Sequence, residues 1–349
     1  MKTKRWLSLA GAAGAVIGLV AVVVPADAGE SEDGGKAGAG GWQAVDTGEP
    51  ATSPAGFDMV EETASGDVMA VDENNRAVRC WDGKQWSKAD RIPIPETPGR
   101  AISAAGGVSC DNLYVFDHQD TPQRWHWDGK AWSHVPSGGT YAMNTVRAFA
   151  ADDIWVAGHI GEGNAYHYDG ASWRKQKLPA MKVEKLAGTS SKDLWALGET
   201  TSSPSAPVAY HYDGTAWKKS ALPASYDGSA HEQVTVSATD ISVFGTTVKD
   251  GYLHWDGKVW THEKLPLTTG YIHGATAADN TLWLGLYDQF LRRDADGKWT
   301  QEPFPQGGDL ENLKIQDLAT DHRTDTPFAG GGTLAGETTT LARMLQYKD

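Results

Sequence analysis

The sequence predicts an all-β protein, a seven-bladed β-propeller of four-stranded antiparallel blades whose ring is closed by the N-terminal strand. Two observations predict this fold. One segment of the chain, best seen at residues 153–173 and again at 193–217, recurs along its length, and each copy carries an Asp-Gly step followed by a Trp. Repeats of roughly 40–50 residues that contain several short strands are typical of propeller blades.

The Asp-Gly step recurs at a nearly constant interval, with successive Trp residues 46, 41, 44, 43 and 39 positions apart. The six copies are Asp82-Gly83 with Trp86, Asp128-Gly129 with Trp132, Asp169-Gly170 with Trp173, Asp213-Gly214 with Trp217, Asp256-Gly257 with Trp260, and Asp296-Gly297 with Trp299. Asp-Gly between two apolar runs is a strong hairpin signal. It predicts a type I′ turn that joins the third strand of each blade to the fourth.

Each copy divides into four short strands. In the third copy we expect strands near residues 144–150, 153–158, 165–169 and 172–177, because these runs are rich in the Trp, Tyr, Val and Ile that favour strands. We interpret the repeated Trp residues as packing between blades, since they recur at one position of every unit. The alternative is a set of sugar-stacking rings.

The two ends of the chain complete the count of seven. Gly41–Val45 has the pattern of a fourth strand with no strands before it, and residues 341–349 have the pattern of a third strand with none after it. We therefore predict that the N-terminal strand completes the last blade, which leaves no open sheet edge.

Ahead of the propeller, the sequence predicts an export signal and a linker. Residues 1–28 combine a positive start, an apolar stretch and an Ala26-Asp27-Ala28 cleavage site, as a signal peptide does. An uncleaved membrane anchor is the alternative. Residues 29–40 are predicted to be a flexible linker and residues 41–349 the propeller. We expect a secreted, extracellular bacterial protein.

The hairpins carry a resemblance to known propellers. The Trp-Asp pairs at 81–82, 127–128 and 255–256 resemble those of WD-type repeats, and Asp-Gly-x-x-Trp is similar to the Asp-box of sialidase-like propellers, although Gly directly follows Asp here. Over residues 41–349 the chain resembles secreted bacterial propellers with BNR-like, kelch-like or WD-like repeats. The resemblance implies a fold and leaves the function open.

The net charge and the motifs that the sequence lacks disfavour several classes of partner and chemistry. The formal net charge is −14, and removal of residues 1–28 makes it −16, because that segment carries three positive charges and one negative. This disfavours nucleic acid and anionic membranes as partners. The chain has no zinc-ligand spacing, catalytic Ser motif or phosphate loop, so we expect no metal, cofactor or catalytic residue. Residues 294–297 resemble the start of a calcium loop, but a hairpin with one extra residue is the favoured interpretation.

The two cysteines and four repeated histidines are interpreted structurally. Cys80 and Cys110 are expected to form a disulfide in an exported protein, with two buried thiols as the alternative. The histidines precede an aromatic residue in each predicted third strand and are expected to line a strand face rather than bind metal. They are His126, His167, His211 and His254.

The predicted ligand site lies in the loops opposite the Asp-Gly hairpins, because variable loops on a rigid scaffold carry function. Its candidate residues are Tyr141, His159, Tyr226, Tyr271, His273, Tyr287 and Asp288. The sequence favours a monomeric, non-catalytic propeller that binds an extracellular polymer or protein, such as a cell-wall glycan. The alternative is a propeller glycoside hydrolase or polysaccharide lyase, which needs converging carboxylates or a Tyr/His set.

Overall fold

Seven four-stranded antiparallel sheets form the structure, a computed structural model that describes residues 40–48, 56–72, 76–87, 90–94, 101–118, 124–135, 143–158, 165–307, 310, 312–335 and 338–348. The predictions of a signal peptide and a linker concern residues 1–40 and lie almost entirely outside this part of the chain. Within the described ranges, no helix is long and apolar enough to cross a membrane.

The strands of each blade are given from the first to the fourth. Blades 1 to 3 contain β2 (Met59–Glu62), β3 (Val68–Asp72), β4 (Ala77–Trp81), β5 (Asp90–Arg91); β6 (Ala101–Ser109), β7 (Asn112–His118), β8 (Arg124–Trp127), β9 (Trp132–His134); β10 (Thr145–Ala150), β11 (Asp153–Ala157), β12 (Ala165–Tyr168), β13 (Trp173–Lys175). Blades 4 and 5 contain β14 (Met181–Ser190), β15 (Asp193–Thr200), β16 (Pro207–Tyr212), β17 (Trp217–Ser220); β18 (Glu232–Ser237), β19 (Asp240–Phe244), a 3-10 helix (Val248–Asp250), β20 (Tyr252–Trp255), β21 (Trp260–Glu263). Blades 6 and 7 contain β22 (Ile272–Ala278), β23 (Thr281–Leu286), β24 (Gln289–Arg293), β25 (Trp299–Glu302); β26 (Leu313–Asp321), β27 (Thr326–Ala335), β28 (Thr338–Lys348), β1 (Gly41–Val45).

The first strands form the inner wall of the ring. Each of β2, β6, β10, β14, β18, β22 and β26 contacts the first strand of the next blade, and β26 contacts β2 in turn. The fold class predicted from the repeats is confirmed, and the strands of the third blade lie within two residues of their predicted ends.

The N-terminal strand lies at the outer edge of blade 7. β1 pairs antiparallel with β28 from Gly41–Lys348 to Val45–Met344. Trp42 is 6% exposed and stacks on Phe290, with ring centroids 4.2 Å apart. The structure therefore shows the pairing of the two ends that the sequence predicts.

The repeated Trp residues pack between blades, as the sequence predicts. In four blades the fourth-strand Trp contacts an aromatic ring on the second strand of the preceding blade, whereas Trp299 contacts Tyr252 on the third strand of blade 5. The centroid distances are 6.1 Å for Trp173 to Tyr114, 6.0 Å for Trp217 to Trp155, 5.1 Å for Trp260 to Trp195, 6.0 Å for Trp299 to Tyr252 and 5.4 Å for Trp42 to Trp283. The core of the protein is thus a series of layers between neighbouring blades.

The Asp-Gly hairpins differ from the type I′ prediction. In blade 3, Tyr168 pairs with Trp173, so the loop has four residues instead of two. Asp169 Oδ1 accepts hydrogen bonds from the backbone N–H groups of Ala171 at 3.1 Å and Ser172 at 2.8 Å, and only the glycine has a positive φ, of 85°. The type I′ prediction is wrong because the aspartate carboxylate, and not the backbone alone, closes the turn from its first position.

Blade 6 has the predicted hairpin with one extra residue. Arg293 pairs with Trp299, and the backbone N–H of Asp294 donates to the carbonyl of Lys298 at 3.0 Å. Asp296 Oδ1 accepts from the N–H of Lys298 at 3.1 Å, so its carboxylate has the same turn-closing role as Asp169 in blade 3. The hairpin interpretation of residues 294–297 is confirmed.

Candidate functional site

The four repeated histidines hold their own blades together. Each imidazole Nε2 forms a hydrogen bond with an acidic or amide side chain at the start of the second strand of the same blade. The distances are 2.9 Å for His126 to Asn112, 2.9 Å for His167 to Asp153, 2.7 Å for His211 to Asp193 and 3.0 Å for His254 to Asp240. Their position on one strand face agrees with the sequence prediction.

Cys80 and Cys110 form the predicted disulfide, with Cα atoms 5.6 Å apart. The bridge joins the third strand of blade 1 to the turn between the first two strands of blade 2. The N–H of Cys110 also donates to Asp67 Oδ2 at 2.8 Å. Asp67 and the two sulfurs are the one group of potential metal ligands among the described residues, but disulfide sulfurs are not thiolates and cannot bind as such.

A cavity of about 420 Å³ occupies the centre of the ring. Its walls come from the first strands of several blades and from the turns that follow β2 and β26. The charged residues lining it are Glu61, Glu62, Arg147, Lys185, Glu232, Asp317, His322 and Arg323. A concave site with convergent polar groups is the first place to look for ligand binding.

Irregular strand pairing helps to set which side chains face this cavity. The register between β14 and β15 shifts immediately before Lys185, and that between β26 and β27 shifts immediately before Asp317. A β-bulge inserts one residue and re-aims the side chains that follow it. Bulges in the first strands are therefore one reason that polar residues point to the centre.

Four of these residues form an inner charged cluster: Glu61, Lys185, Glu232 and Asp317. Lys185 Nζ lies 3.1 Å from Glu232 Oε2. Asp317 accepts backbone hydrogen bonds of 2.8 Å from Val60 and from Leu318. The cluster holds three carboxyl groups and one ammonium group.

The excess of carboxyl groups shows in the pKa values. Burial raises the pKa of Glu61 to about 7, and the charge of Glu232 adds to this effect although Lys185 opposes it. Burial and the neighbouring carboxylates of Glu232 and Glu61 raise the pKa of Asp317 well above its usual range. Burial lowers the pKa of Lys185, but the carboxylates of Glu232, Glu61 and Asp317 outweigh it and raise that pKa overall.

The rim of the cavity contains paired charges. His322 Nε2 lies 2.6 Å from Glu62 Oε2, and Arg147 Nη1 lies 4.0 Å from the other oxygen of Glu62. The hydrogen bond to Glu62 raises the pKa of His322. Arg323 is held by Asp67 and Asp321. The rim charges are therefore compensated, and the excess of carboxyl groups lies deeper in the cavity.

The inner cluster is not among the residues that the sequence predicts as a ligand site. Its members belong to different blades, and the turns that line the cavity lie on the side of the Asp-Gly hairpins, as the approach of Gly83 to Arg323 shows. The predicted ligand loops are on the other side. Charged residues within predicted first strands are the signal in the sequence that points to the cluster.

The structure brings four of the seven candidate ligand residues together in blade 6. Tyr287 and Asp288 form the two-residue turn between β23 and β24, since Leu286 pairs with Gln289. The rings of His273 and Tyr287 lie 5.1 Å apart. Tyr271 precedes β22 directly and is 63% exposed.

The remaining three candidates do not join this group. Tyr226 is 6% exposed and donates a hydrogen bond of 2.6 Å to the carbonyl of Ser229, so its ring belongs to the packing between blades 4 and 5 and not to an exposed surface. Tyr141 and His159 lie outside the described residues.

No protein-family model matches the chain, and no curated protein sequence matches it. Solved structures do resemble it. YCF48 bound to a D1 peptide has a TM-score of 0.60 and 13% identity, covering 88% of this chain and 95% of that chain. Catalytically inactive virginiamycin B lyase from Staphylococcus aureus with quinupristin has a TM-score of 0.64 and 10% identity, covering 89% and 100%.

The WD40 repeats of RRP9 are a third similar structure, with a TM-score of 0.59 and 10% identity over 88% of this chain and 97% of that chain. At such low identities the likeness shows the propeller fold alone. Proteins of this shape bind peptides or act as a lyase, so the fold by itself does not select a function.

Proposed function

We propose that this protein is exported and acts as a non-catalytic propeller that binds an extracellular protein or polymer carrying a basic group, which enters the central cavity. The observation that carries the proposal is the composition of the inner cluster, where three carboxyl groups surround one ammonium group. A primary amine or a guanidinium group would supply the missing positive charge.

The size and the surroundings of the cavity support this ligand class. A volume of about 420 Å³ falls within the range of ligand pockets, which is roughly 300–1,000 Å³. The net charge of the whole chain is −14, which attracts cationic partners over longer distances. One similar structure, that of YCF48, is bound to a peptide, which is consistent with a protein partner.

Proton linkage gives the proposal a testable consequence. A positive group placed beside Glu61 favours its ionised form, so binding releases the proton that this carboxyl retains up to about pH 7. Because linkage is reciprocal, the ligand should bind more tightly as the pH rises from 6 to 8. The affinity of a ligand that does not contact the inner cluster would not rise with pH in this way.

The test uses short acetylated peptides that differ in one central residue, namely lysine, arginine or acetyl-lysine, titrated calorimetrically into the full chain. We expect binding of the lysine or arginine peptide, weak or no binding of the acetyl-lysine peptide, and loss of binding in the Glu61→Gln/Glu232→Gln variant. Removal of a buried charged partner typically weakens affinity by tenfold or more.

A variant with the same net charge controls for general attraction to an acidic protein. Asp152→Asn/Asp227→Asn removes two exposed carboxylates away from the cavity lining and should leave binding unchanged. Equal effects of the two double variants would refute binding in the cavity. Turnover of a polysaccharide in a parallel hydrolysis and elimination assay would favour the enzyme alternative.

Export is tested separately. If the protein is expressed in its own host, N-terminal sequencing of the form in the culture medium should begin at Gly29. Recovery only in the cell, with Met1 or its neighbour at the N-terminus, would contradict the export proposal and leave the cavity proposal intact.

A further inference from the structure

We infer that the exposed ring of Tyr271, together with Tyr287 and Asp288, is a subsite for an uncharged sugar ring of a polysaccharide. This site is in blade 6, and none of its three residues lines the central cavity. The inference does not depend on the basic ligand proposed for that cavity.

The backbone on both sides of the subsite is fixed by neighbouring blades. The N–H of Ile272 donates to the carbonyl of Thr246 in blade 5 at 2.9 Å, and Tyr271 forms a β-bridge with Thr247. On the other side, the N–H of Ile315 in blade 7 donates to the carbonyl of Tyr287 at 3.0 Å. A ring on so constrained a backbone loses little conformational entropy when a ligand binds.

The two tyrosines have different roles. Tyr287 is held in place, with the ring of His273 at 5.1 Å and the ammonium group of Lys314 at 4.9 Å from its centroid. Tyr271 is the most exposed of the large apolar side chains among the described residues, at 63%. Ile272 pairs with Leu286 at the end of the ladder, and Tyr271 and Tyr287 are the residues that follow this pair on the two strands.

The local charges favour a neutral ligand. Lys314 Nζ lies 3.7 Å from Asp288 Oδ2, so the two formal charges beside the tyrosines are of opposite sign and offset each other. Neither an anionic nor a cationic polymer gains much there. An uncharged sugar has an apolar C–H face that can stack on Tyr271 and hydroxyl groups that can donate to the Asp288 carboxylate, which is 63% exposed.

A peptide fits this surface less well. Extended peptides bind to sheets by pairing with a free strand edge. Here β22 and β23 are the first two strands of their blade, and the backbone groups next to Tyr271 and Tyr287 already bond to blades 5 and 7. The side chains remain available for contact while the backbone does not, which favours recognition by stacking.

The experiment is affinity electrophoresis of the full chain in gels that contain hydroxyethyl cellulose, xyloglucan, glucomannan or dextran, with chitin beads as an insoluble probe. We expect at least one of these neutral polysaccharides to retain the protein. Tyr271→Ala should weaken that interaction about tenfold, as expected for loss of a stacking face, whereas Tyr271→Phe should keep it within about threefold.

Two control variants separate binding at Tyr271 from general adhesion to apolar surface and from binding in the central cavity. Val259→Ala removes an apolar side chain that is 56% exposed in the Asp-Gly hairpin of blade 5, and it should have no effect. Glu61→Gln/Glu232→Gln should also bind polysaccharide normally, so failure of the cavity proposal and failure of this one are distinguishable. Retention by no polysaccharide, retention that Tyr271→Ala does not change, or Tyr271-dependent binding of peptides alone would overturn the inference.

Discussion

Cys80 occupies in blade 1 the strand position that His167 occupies in blade 3. Cys80 pairs with Met69, and His167 pairs with Trp155, each on the second strand of its blade. The disulfide partner of Cys80 also has an equivalent residue in another blade. Cys110 is the first residue of the turn after β6, as Ser191 is of the turn after β14, and the Ser191 hydroxyl bonds to Asp153. A covalent bond thus joins blades 1 and 2 where side-chain hydrogen bonds join blades 3 and 4.

The disulfide predicts that a reductant lowers the free energy of unfolding. The bridge closes a loop with a sequence separation of 30, so reducing it should destabilise the protein by about 3–4 kcal/mol in the chain-entropy model. Urea unfolding with and without a reductant measures the difference. Cys80→Ser/Cys110→Ser is the matched control and should not respond to the reductant. Thiol titration of the denatured, unreduced protein should find no reactive thiol, and two thiols would contradict the bridge.

The Asp-Gly turns predict a cost for any side chain at Gly170. Its φ is 85°, and an added Cβ would lie 2.7 Å from Cβ of Asp152. Gly170→Val should therefore lower stability by about 1–2 kcal/mol or more. Gly307→Val has a similar φ of 87° with nothing within 4 Å, so it reports the backbone strain alone. Equal losses for the two variants would show that the contact with Asp152 contributes nothing.

The inner cluster predicts how stability depends on pH. The pKa of Glu61 is about 7 in the folded protein against 4.5 for a solvated glutamate, so the folded state binds this proton more tightly than the unfolded state. Between about pH 4.5 and 7 this group makes stability fall as the pH rises, and above pH 7 its full cost is present.

Replacing Glu61 should remove that contribution. Glu61→Gln should flatten the fall in stability between these pH values and raise stability at pH 8 by about 1–2 kcal/mol, since one pKa unit corresponds to about 1.4 kcal/mol and Lys185 loses a neighbour. Asp317, whose pKa is also raised by burial and by Glu232, should maintain a slope of the same sign. Chemical denaturation at several pH values provides the measurement, with Asp227→Asn as the control. Parallel profiles for Glu61→Gln and the unmodified protein would refute the assignment.

The pairing of the two ends predicts the effect of a short truncation. Deleting residues 41–45 removes β1 and with it Trp42, whose packing should account for about 3–5 kcal/mol. It also exposes the edge of β28 and should promote association. Deleting residues 29–40 should do neither. Melting temperature and size-exclusion chromatography of both truncations provide the test, and equal stability of two monomers would refute closure by this strand.

The repeats make the fold predictable because hairpin signals and buried aromatics are local and recur. The hydrogen-bond partner of His167 is harder to predict from the sequence, because a histidine alone does not show that Asp153 lies across the sheet. The central cluster is not predictable in the same way. Glu61 and Asp317 come together only after seven blades close, and bulges that no local pattern announces help to decide which side chains face inward.

The candidate ligand residues also divide into some whose position the sequence predicts correctly and one, Tyr226, whose burial it does not predict. Tyr271, Tyr287 and Asp288 are identified from loop position and residue type, and the structure places them together. Tyr226 has the same residue type in an equivalent loop but is buried and bonded within that loop. Composition cannot distinguish the two cases, because burial depends on the path of the loop backbone.

The position of β1 has a consequence for the order in which the molecule can be assembled. The strand made first in the folded region pairs only with β28, which is made last. During synthesis it must wait unpaired, so completion of blade 7 is the final step and involves the largest loop to be closed. In that interval two chains could exchange their first strands. A domain-swapped dimer, with β1 of one copy in blade 7 of the other, is therefore the specific misassembly to which this architecture is exposed.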